Sequence, residues 1–225
     1  MRYKNKNIQI SCDGGAATGK STGAKLISKK YGLKFLSSGL LYRYAGFLLL
    51  KYNPKNKIKF LKKKFKYLDY SKIKKNNLHT PEISEYTSSI AKNNNIRKML
   101  KKYQTNFAIK YKNCCIEGRD ISTKILPNSD LKFFFKCNLG TAAKRRYKEL
   151  KKRNNNIKLK DLKKALRIRN LLDTKRKNSP LLKHRDSIEI DTGKLDKKAM
   201  IAKMSKFVKK VIKKKYGNRV RTKRN

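Results

Sequence analysis

Residues 8–32, IQISCDGGAATGKSTGAKLISKKYG, constrain this chain more than any other feature. A short apolar run ends in Asp-Gly-Gly, so it reads as a buried strand. From Lys20 a helical pattern carries Ala24, Leu26 and Ile27 and stops at Gly32. Between the two, Gly14, Gly19, Lys20 and Ser21 fill G-x-x-x-x-G-K-[ST] in full. Glycines let the backbone curl until successive N–H groups converge on phosphate oxygens, and the helix opening at Lys20 adds the positive end of its dipole. Lys20 is then placed to span β- and γ-phosphates, with the Ser21 hydroxyl offered to Mg2+. The expected cradle is Gly14, Gly15, Ala16, Ala17, Thr18, Gly19, Lys20, Ser21 and Thr22.

Further short apolar runs, at 33–37, 113–118, 131–138 and 187–192, read as strands. Helical patterns fall at 39–52, 95–111, 141–150, 159–175 and 194–216, with another starting at Pro81, a residue suited to a first helical turn. GRDISTKILPNSD reads as a loop between two strands. Strands alternating with helices imply an α/β fold with a parallel sheet covered on both faces. Residues 53–80 are Lys- and Asn-rich with little clear period and read as an exposed insert with weak structure of its own. The tail 217–225 is polar. A chain of 225 residues suits one domain with a small inserted subdomain.

Formal net charge is +49. Such a balance attracts phosphate polyanions, including nucleic acid. Only 14 of the 63 basic residues are arginine, however, the residue whose planar fork grips phosphate bidentately. Lysine arrives with abundant Asn and Ile, all three encoded by A/T-rich codons, so genomic base bias accounts for the charge without selection for RNA or DNA. Cys12, Cys114, Cys115 and Cys137 form no CxxC pair and lie in apolar runs, as reduced core residues of a cytoplasmic protein do. His79 and His184 stand apart from them, which argues against zinc. FLLL at 47–50 is far too short to span a bilayer, so no membrane partner is expected.

At FLSSGLLYR (35–43) the chain resembles the acceptor-phosphate segment of bacterial cytidylate kinases. EGRDISTKILPNSDLKFFF (117–135) resembles their Gly-Arg-Asp segment, AAKRRYKEL (142–150) the helix that begins the lid, RNLLDTKRKNSPL (169–181) the lid's return, and IEIDTGKL (188–195) the closing strand and turn. Together these cover most of the chain in order. The resemblance implies a nucleoside monophosphate kinase fold of the P-loop class, with a reduced acceptor-binding insert at 53–93 and a helical lid at 145–177. It implies an ATP-dependent CMP or dCMP kinase that uses Mg2+ and acts as a monomer. Ser38 and Arg43 are implied to hold the CMP phosphate with Arg119, and Gly39 and Tyr42 to belong to the CMP site. Ser88 and Arg97, joined by Asp120 and Arg176, are implied at the cytosine edge. Arg169 and Asp173 fall near the ribose and the transferring phosphate, and Arg145 and Arg146 on the ATP side of the lid. Lys20, Arg119 and Arg169 are the implied catalytic cations. The bare chemistry agrees, since an acceptor phosphate is already anionic and positioned positive charge is what the transfer needs.

Three departures stand out. Ser37 occupies the place where the family usually has Asp, Leu172 a lid position often filled by Arg, and Glu117 the Asp before Gly-Arg-Asp. The family's small antiparallel sheet is replaced by a shortened, Lys-dominated stretch. No apolar run ending in Asp offers a second Mg2+ partner. Asp173 has an alternative, pairing with a lysine of its own helix. Two rival functions remain: another P-loop kinase, acting on UMP, AMP or a small acid, and a non-enzymatic RNA-binding protein using Phe60, Phe65, Tyr67 and Tyr70 as stacking platforms.

Overall fold

The apolar run ahead of the glycine loop becomes β1 (Gln9–Gly14), and Lys20 opens α1 (Lys20–Tyr31), which Gly32 closes in the left-handed conformation at φ 67°. They belong to a computed structural model that describes residues 7–73, 76–151 and 157–217. Two compact units make it up, Met1–Phe35 with Lys112–Asn225, and Leu36–Tyr111.

In the first unit β1 runs parallel to β3 (Cys114–Gly118) and β4 (Leu131–Lys136), and β4 runs parallel to β5 (Ile188–Asp191). The strand order is β2-β3-β1-β4-β5, with β2 (Lys34–Ser37) at one edge. Ile10, Cys12, Phe133, Phe135 and Ile190 are fully buried against Ala24 and Ile27 of α1 and Met204 and Val208 of the last helix, α9 (Lys197–Tyr216). Helices α7 (Leu139–Lys151) and α8 (Leu159–Lys175) pack on each other, and Ala142, Ala143 and Leu166 join Ala16 of the glycine loop in a smaller apolar cluster. Register sets Asp13 opposite Gly118 and Gly14 opposite Phe135. The glycine loop, Glu117 and Asp191 therefore gather at the carboxyl edge of the sheet, where parallel α/β sheets bind ligands. The stretch after β3 was expected as plain loop; it contains a π-helical turn, Ile121–Ile125.

The second unit is helical: α2 (Ser38–Tyr52), α3 (Lys57–Lys66), α4 (Tyr70–Ile73), α5 (Pro81–Ile90) and α6 (Asn94–Lys110). The expectation of weak structure over 53–80 is corrected here. Asn56 caps α3 by accepting from the Lys59 amide, and Leu61 and Phe65 turn inward while the lysines face water. Phe65 lies between Tyr44 and Tyr103, with ring centroids 5.9 and 5.8 Å away. Ile73 is fully buried, as is Leu78 at 1% exposure. The interleaved lysines hid an apolar stripe that the fold uses. No strand appears among the described residues of 53–80. The tail from 218 onward, with Arg219 and Arg221, and residues 152–156 of the lid lie outside the described residues.

Candidate active site

The glycine loop of the first unit is shaped by two glycines that no other residue replaces. A Cβ on Gly14 would collide with the Phe135 carbonyl oxygen, and Gly19 sits at φ 78°. Ala17, at φ 56°, is also left-handed. The Thr18 hydroxyl donates to the Gly15 carbonyl at 3.0 Å and closes the curl. Lys20 is 8% exposed. Its Nζ donates to the Gly15 carbonyl at 3.3 Å and lies 3.8 Å from a Glu117 oxygen. Burial, reinforced by the positive field of Arg119, lowers its pKa to about 7 against the pull of Glu117. A polyphosphate beside it supplies the anionic partner that favours the charged form.

Around this lysine the structure assembles the implied cations. Arg119 Nε donates to Asp173 Oδ2 at 2.7 Å. Arg176 lies 3.5 Å from the other Asp173 oxygen and 3.9 Å from Asp120, and its Nε donates to the Ser179 carbonyl. Burial pushes the Asp173 carboxyl up, but Arg119, Arg169 and Arg176 outweigh it and hold it below the usual range. Asp173 thus pairs with arginines, not with a lysine of α8. Arg169 is half-buried, and its charge acts on both Lys20 and Asp173. Arg145 and Arg146 diverge. Arg145 Nη1 and Nη2 donate to the Thr192 hydroxyl and carbonyl at 2.9 and 2.6 Å, whereas Arg146 turns to Glu149 at 3.0 Å on the outer side of α7.

Four residues of this unit were not expected in the site, although Glu117 had stood out as a departure from the family pattern. Asp13, the next-to-last residue of β1, accepts from the Ile121 amide at 2.8 Å and from the Ser122 amide and hydroxyl at 2.7 and 2.6 Å. It ties the glycine loop to the segment just beyond Arg119 and Asp120. Burial raises its pKa from 3.8 to about 6, although the Ser122 hydroxyl, the Ser122 amide and the Ile121 amide oppose the shift. Glu117 ends the apolar run CCIEG; a search for runs ending in any acid, not Asp alone, finds it. Asn170 accepts from the Ala16 amide at 3.0 Å and fastens α8 to the loop. Thr192 had no signal beyond its place after β5.

For Mg2+, the donor set is informative. Among the described residues no group of three or more His, Cys, Asp or Glu could hold a metal ion, and the Asp13 carboxylate already accepts three hydrogen bonds. That suits an ion which arrives on substrate phosphates and takes one protein hydroxyl, and half-buried Ser21 fits that role.

The second unit carries the residues implied for the acceptor phosphate. Ser38 and Arg43 are 5% and 8% exposed at the start of α2, and Gly39 is exposed. Ser37 keeps the turn without the family's carboxylate. Its hydroxyl accepts from the Leu40 amide at 3.3 Å, and its own amide donates to the Tyr70 hydroxyl at 2.7 Å. Arg43 Nη1 donates to the Leu78 carbonyl and the Ser84 hydroxyl, both at 2.8 Å. The Ser84 hydrogen goes to the Thr80 carbonyl at 2.7 Å, leaving a lone pair for Arg43. Ser84 and Tyr70 were not foreseen. The Ser88 hydroxyl donates to the Ser84 carbonyl at 3.1 Å. Arg97 donates to the Ala91 carbonyl at 3.2 Å and lies over the Tyr42 ring at 5.8 Å. Leu172, the other departure, is 46% exposed on α8.

A parallel sheet whose carboxyl edge carries a glycine loop, a buried lysine and an arginine–aspartate cluster defines a P-loop kinase fold. A solved structure, an uncharacterized protein from Eubacterium ventriosum, shares the fold with a TM-score of 0.55 at 17% identity, over 91% of this chain and 99% of that one. The family model for cytidylate kinase matches residues 10–210, and the chain belongs to that family. Cytidylate kinase of Bartonella tribocorum is 36% identical over 213 residues, 92% of this chain and 97% of that protein. Cytidylate kinase of Thermosipho melanesiensis is 36% identical over 211 residues, 89% of this chain and 96% of that protein.

Proposed function

We propose that this protein transfers the γ-phosphoryl group of ATP to CMP or dCMP, giving ADP and CDP or dCDP. The observation that carries the reading is the cluster of Lys20, Arg119, Arg169, Asp173 and Arg176 beside the glycine loop, within a chain of the cytidylate kinase family. A non-bridging oxygen of the CMP phosphate attacks the γ-phosphorus. The bond from that phosphorus to the β-bridging oxygen breaks, and its electron pair leaves with ADP. The attacking oxygen is already anionic, so no general base is required; positioning and charge neutralisation carry the rate. Lys20 follows the migrating group between β- and γ-oxygens. Arg119, oriented by Asp173, and Arg169 neutralise charge on the transferring group. Arg145 serves the ATP side. Ser38 and Arg43 hold the acceptor phosphate, with Gly39 allowing close approach and Tyr42, Ser88, Arg97, Asp120 and Arg176 serving the nucleoside. Ser21 would hold the Mg2+ that arrives with ATP, and the ion would supply further neutralisation of phosphate charge.

The reading places the chain in the cytoplasm with its two nucleotides, as a monomer. No described helix is long and apolar enough to cross a membrane. The aromatic residues of the insert favour packing over base stacking: Phe65 is 5% exposed, Tyr70 packs on Phe107 at 6.5 Å, and only Tyr67, at 82%, stands clear. A coupled assay with ATP, Mg2+ and a panel of CMP, dCMP, UMP, AMP and shikimate, at two salt concentrations, tests the proposal. Turnover with CMP or dCMP should exceed that with the other acceptors at both. Preference for AMP or shikimate would overturn it.

A further inference from the structure

We infer that Thr192 is a positioning residue of the donor half, holding Arg145 against the glycine loop. Thr192 follows β5 directly and is 3% exposed. Its amide donates to the Lys136 carbonyl at 3.0 Å, which anchors the backbone on the end of β4. Its hydroxyl oxygen lies 2.8 Å from the Thr18 carbonyl and 3.4 Å from that of Lys136. A hydroxyl has one hydrogen, and the shorter contact takes it. Arginine only donates, so Arg145 Nη1, at 2.9 Å, must be received on a hydroxyl lone pair. The direction of the relay is therefore set: Arg145 to Thr192 to Thr18. The Thr192 carbonyl takes Nη2 at 2.6 Å, so the guanidinium fork is gripped at two points and its plane is determined.

Two further details link this grip to the loop. The Thr192 methyl lies where a Cβ on Gly19 would come within 3.4 Å, so the threonine packs on the left-handed residue immediately before Lys20. Both acceptors of Arg145 on Thr192 are neutral, so they fix its geometry without cancelling its charge. Arg145 thereby reaches the loop region as a full cation of fixed orientation. The inference rests on reading Arg145 as a donor-side residue, and the experiment separates the two.

Steady-state kinetics of Thr192→Val, Thr192→Ser, Arg145→Ala and the double variant Thr192→Val/Arg145→Ala provide the test. Thr192→Val keeps the shape and loses the relay; KM for ATP should rise about tenfold while KM for CMP stays within about twofold. Thr192→Ser keeps the hydroxyl and should recover most of that loss. In the Arg145→Ala background, Thr192→Val should add little, because its effect passes through Arg145. Thr192→Ala carries the same comparison if the valine variant is not recovered folded. An unsplit loss, with both KM values or kcat alone affected, or full additivity with Arg145→Ala, would make Thr192 merely structural and overturn the inference. An Arg145→Ala variant with unchanged KM for ATP would overturn the reading of Arg145 and the inference with it. A raised KM in Arg145→Ala beside an unaffected Thr192→Val would overturn the inference alone.

Discussion

Arg119 and Arg176 of the glycine-loop unit and Arg43 of the helical unit show different kinds of partner. In the glycine-loop unit, Arg119 and Arg176 share the carboxylate of Asp173, and Lys20 lies near Glu117, its pKa brought down to about 7 by burial and the field of Arg119. In the helical unit, Arg43 donates to a carbonyl and a hydroxyl. Carboxylates hold an arginine firmly and offset part of its field; neutral oxygens hold it and leave the field intact. The first arrangement suits a site that must take up a polyanion and reorganise as charge moves. The second suits one that keeps a fixed cation ready for a single phosphate.

Lys20→Ala should break the donor half most severely. We expect kcat to fall by at least about 10²–10³-fold, with the circular dichroism spectrum unchanged. Retained turnover would remove Lys20 from the chemistry. Arg43→Ala should raise KM for CMP on the order of 10–100-fold and leave KM for ATP nearly constant, a split that initial-rate kinetics resolves. If both constants rose together, the division of labour between the units would be wrong.

Asp13 makes the glycine-loop unit sensitive to pH. Ionised, it accepts three hydrogen bonds; protonated, it loses one acceptor position, and the segment after Arg119 and Asp120 loosens. The pKa is raised by burial to about 6, so kcat should fall as pH drops through that value, about tenfold in all. Stability runs the other way. The folded state binds this proton more tightly than the unfolded chain does, so the stabilisation is complete below pH 3.8 and is lost as pH rises to about 6. Asp13→Asn should give a low, flat profile across this range; a surviving acid limb would assign it to another group. The smallest expected effect belongs to Tyr70→Phe. Removing the acceptor of the Ser37 amide should raise KM for CMP by about two- to fivefold, without altering KM for ATP.

The same contrast explains what could be read in the sequence. The donor side is local in the chain: Gly14 to Ser21 contains the loop, its hand and its lysine, and the helix opening at Lys20 followed directly from the pattern. Arg119, Asp173 and Arg176 stood in recognisable short runs, although their pairing depends on how α8 packs. The acceptor side is different. Arg43 was visible, but its partners Leu78 and Ser84 come from the stretch after α4 and from α5, which no local period relates to α2. Helix α3 escaped because lysine fills most of its surface, so that Leu61 and Phe65 were its only strong inward marks. Asp13, Asn170 and Thr192 work through contacts with distant carbonyls and amides, and a single polar residue in a sequence carries no sign of such a partner.

Phosphoryl transfer between the two nucleotides is read by following the label from γ-labelled ATP incubated with the protein, Mg2+ and CMP. Labelled CDP should form only when CMP is present and should be lost in Lys20→Ala. Label released as inorganic phosphate at the same rate with or without CMP would contradict it.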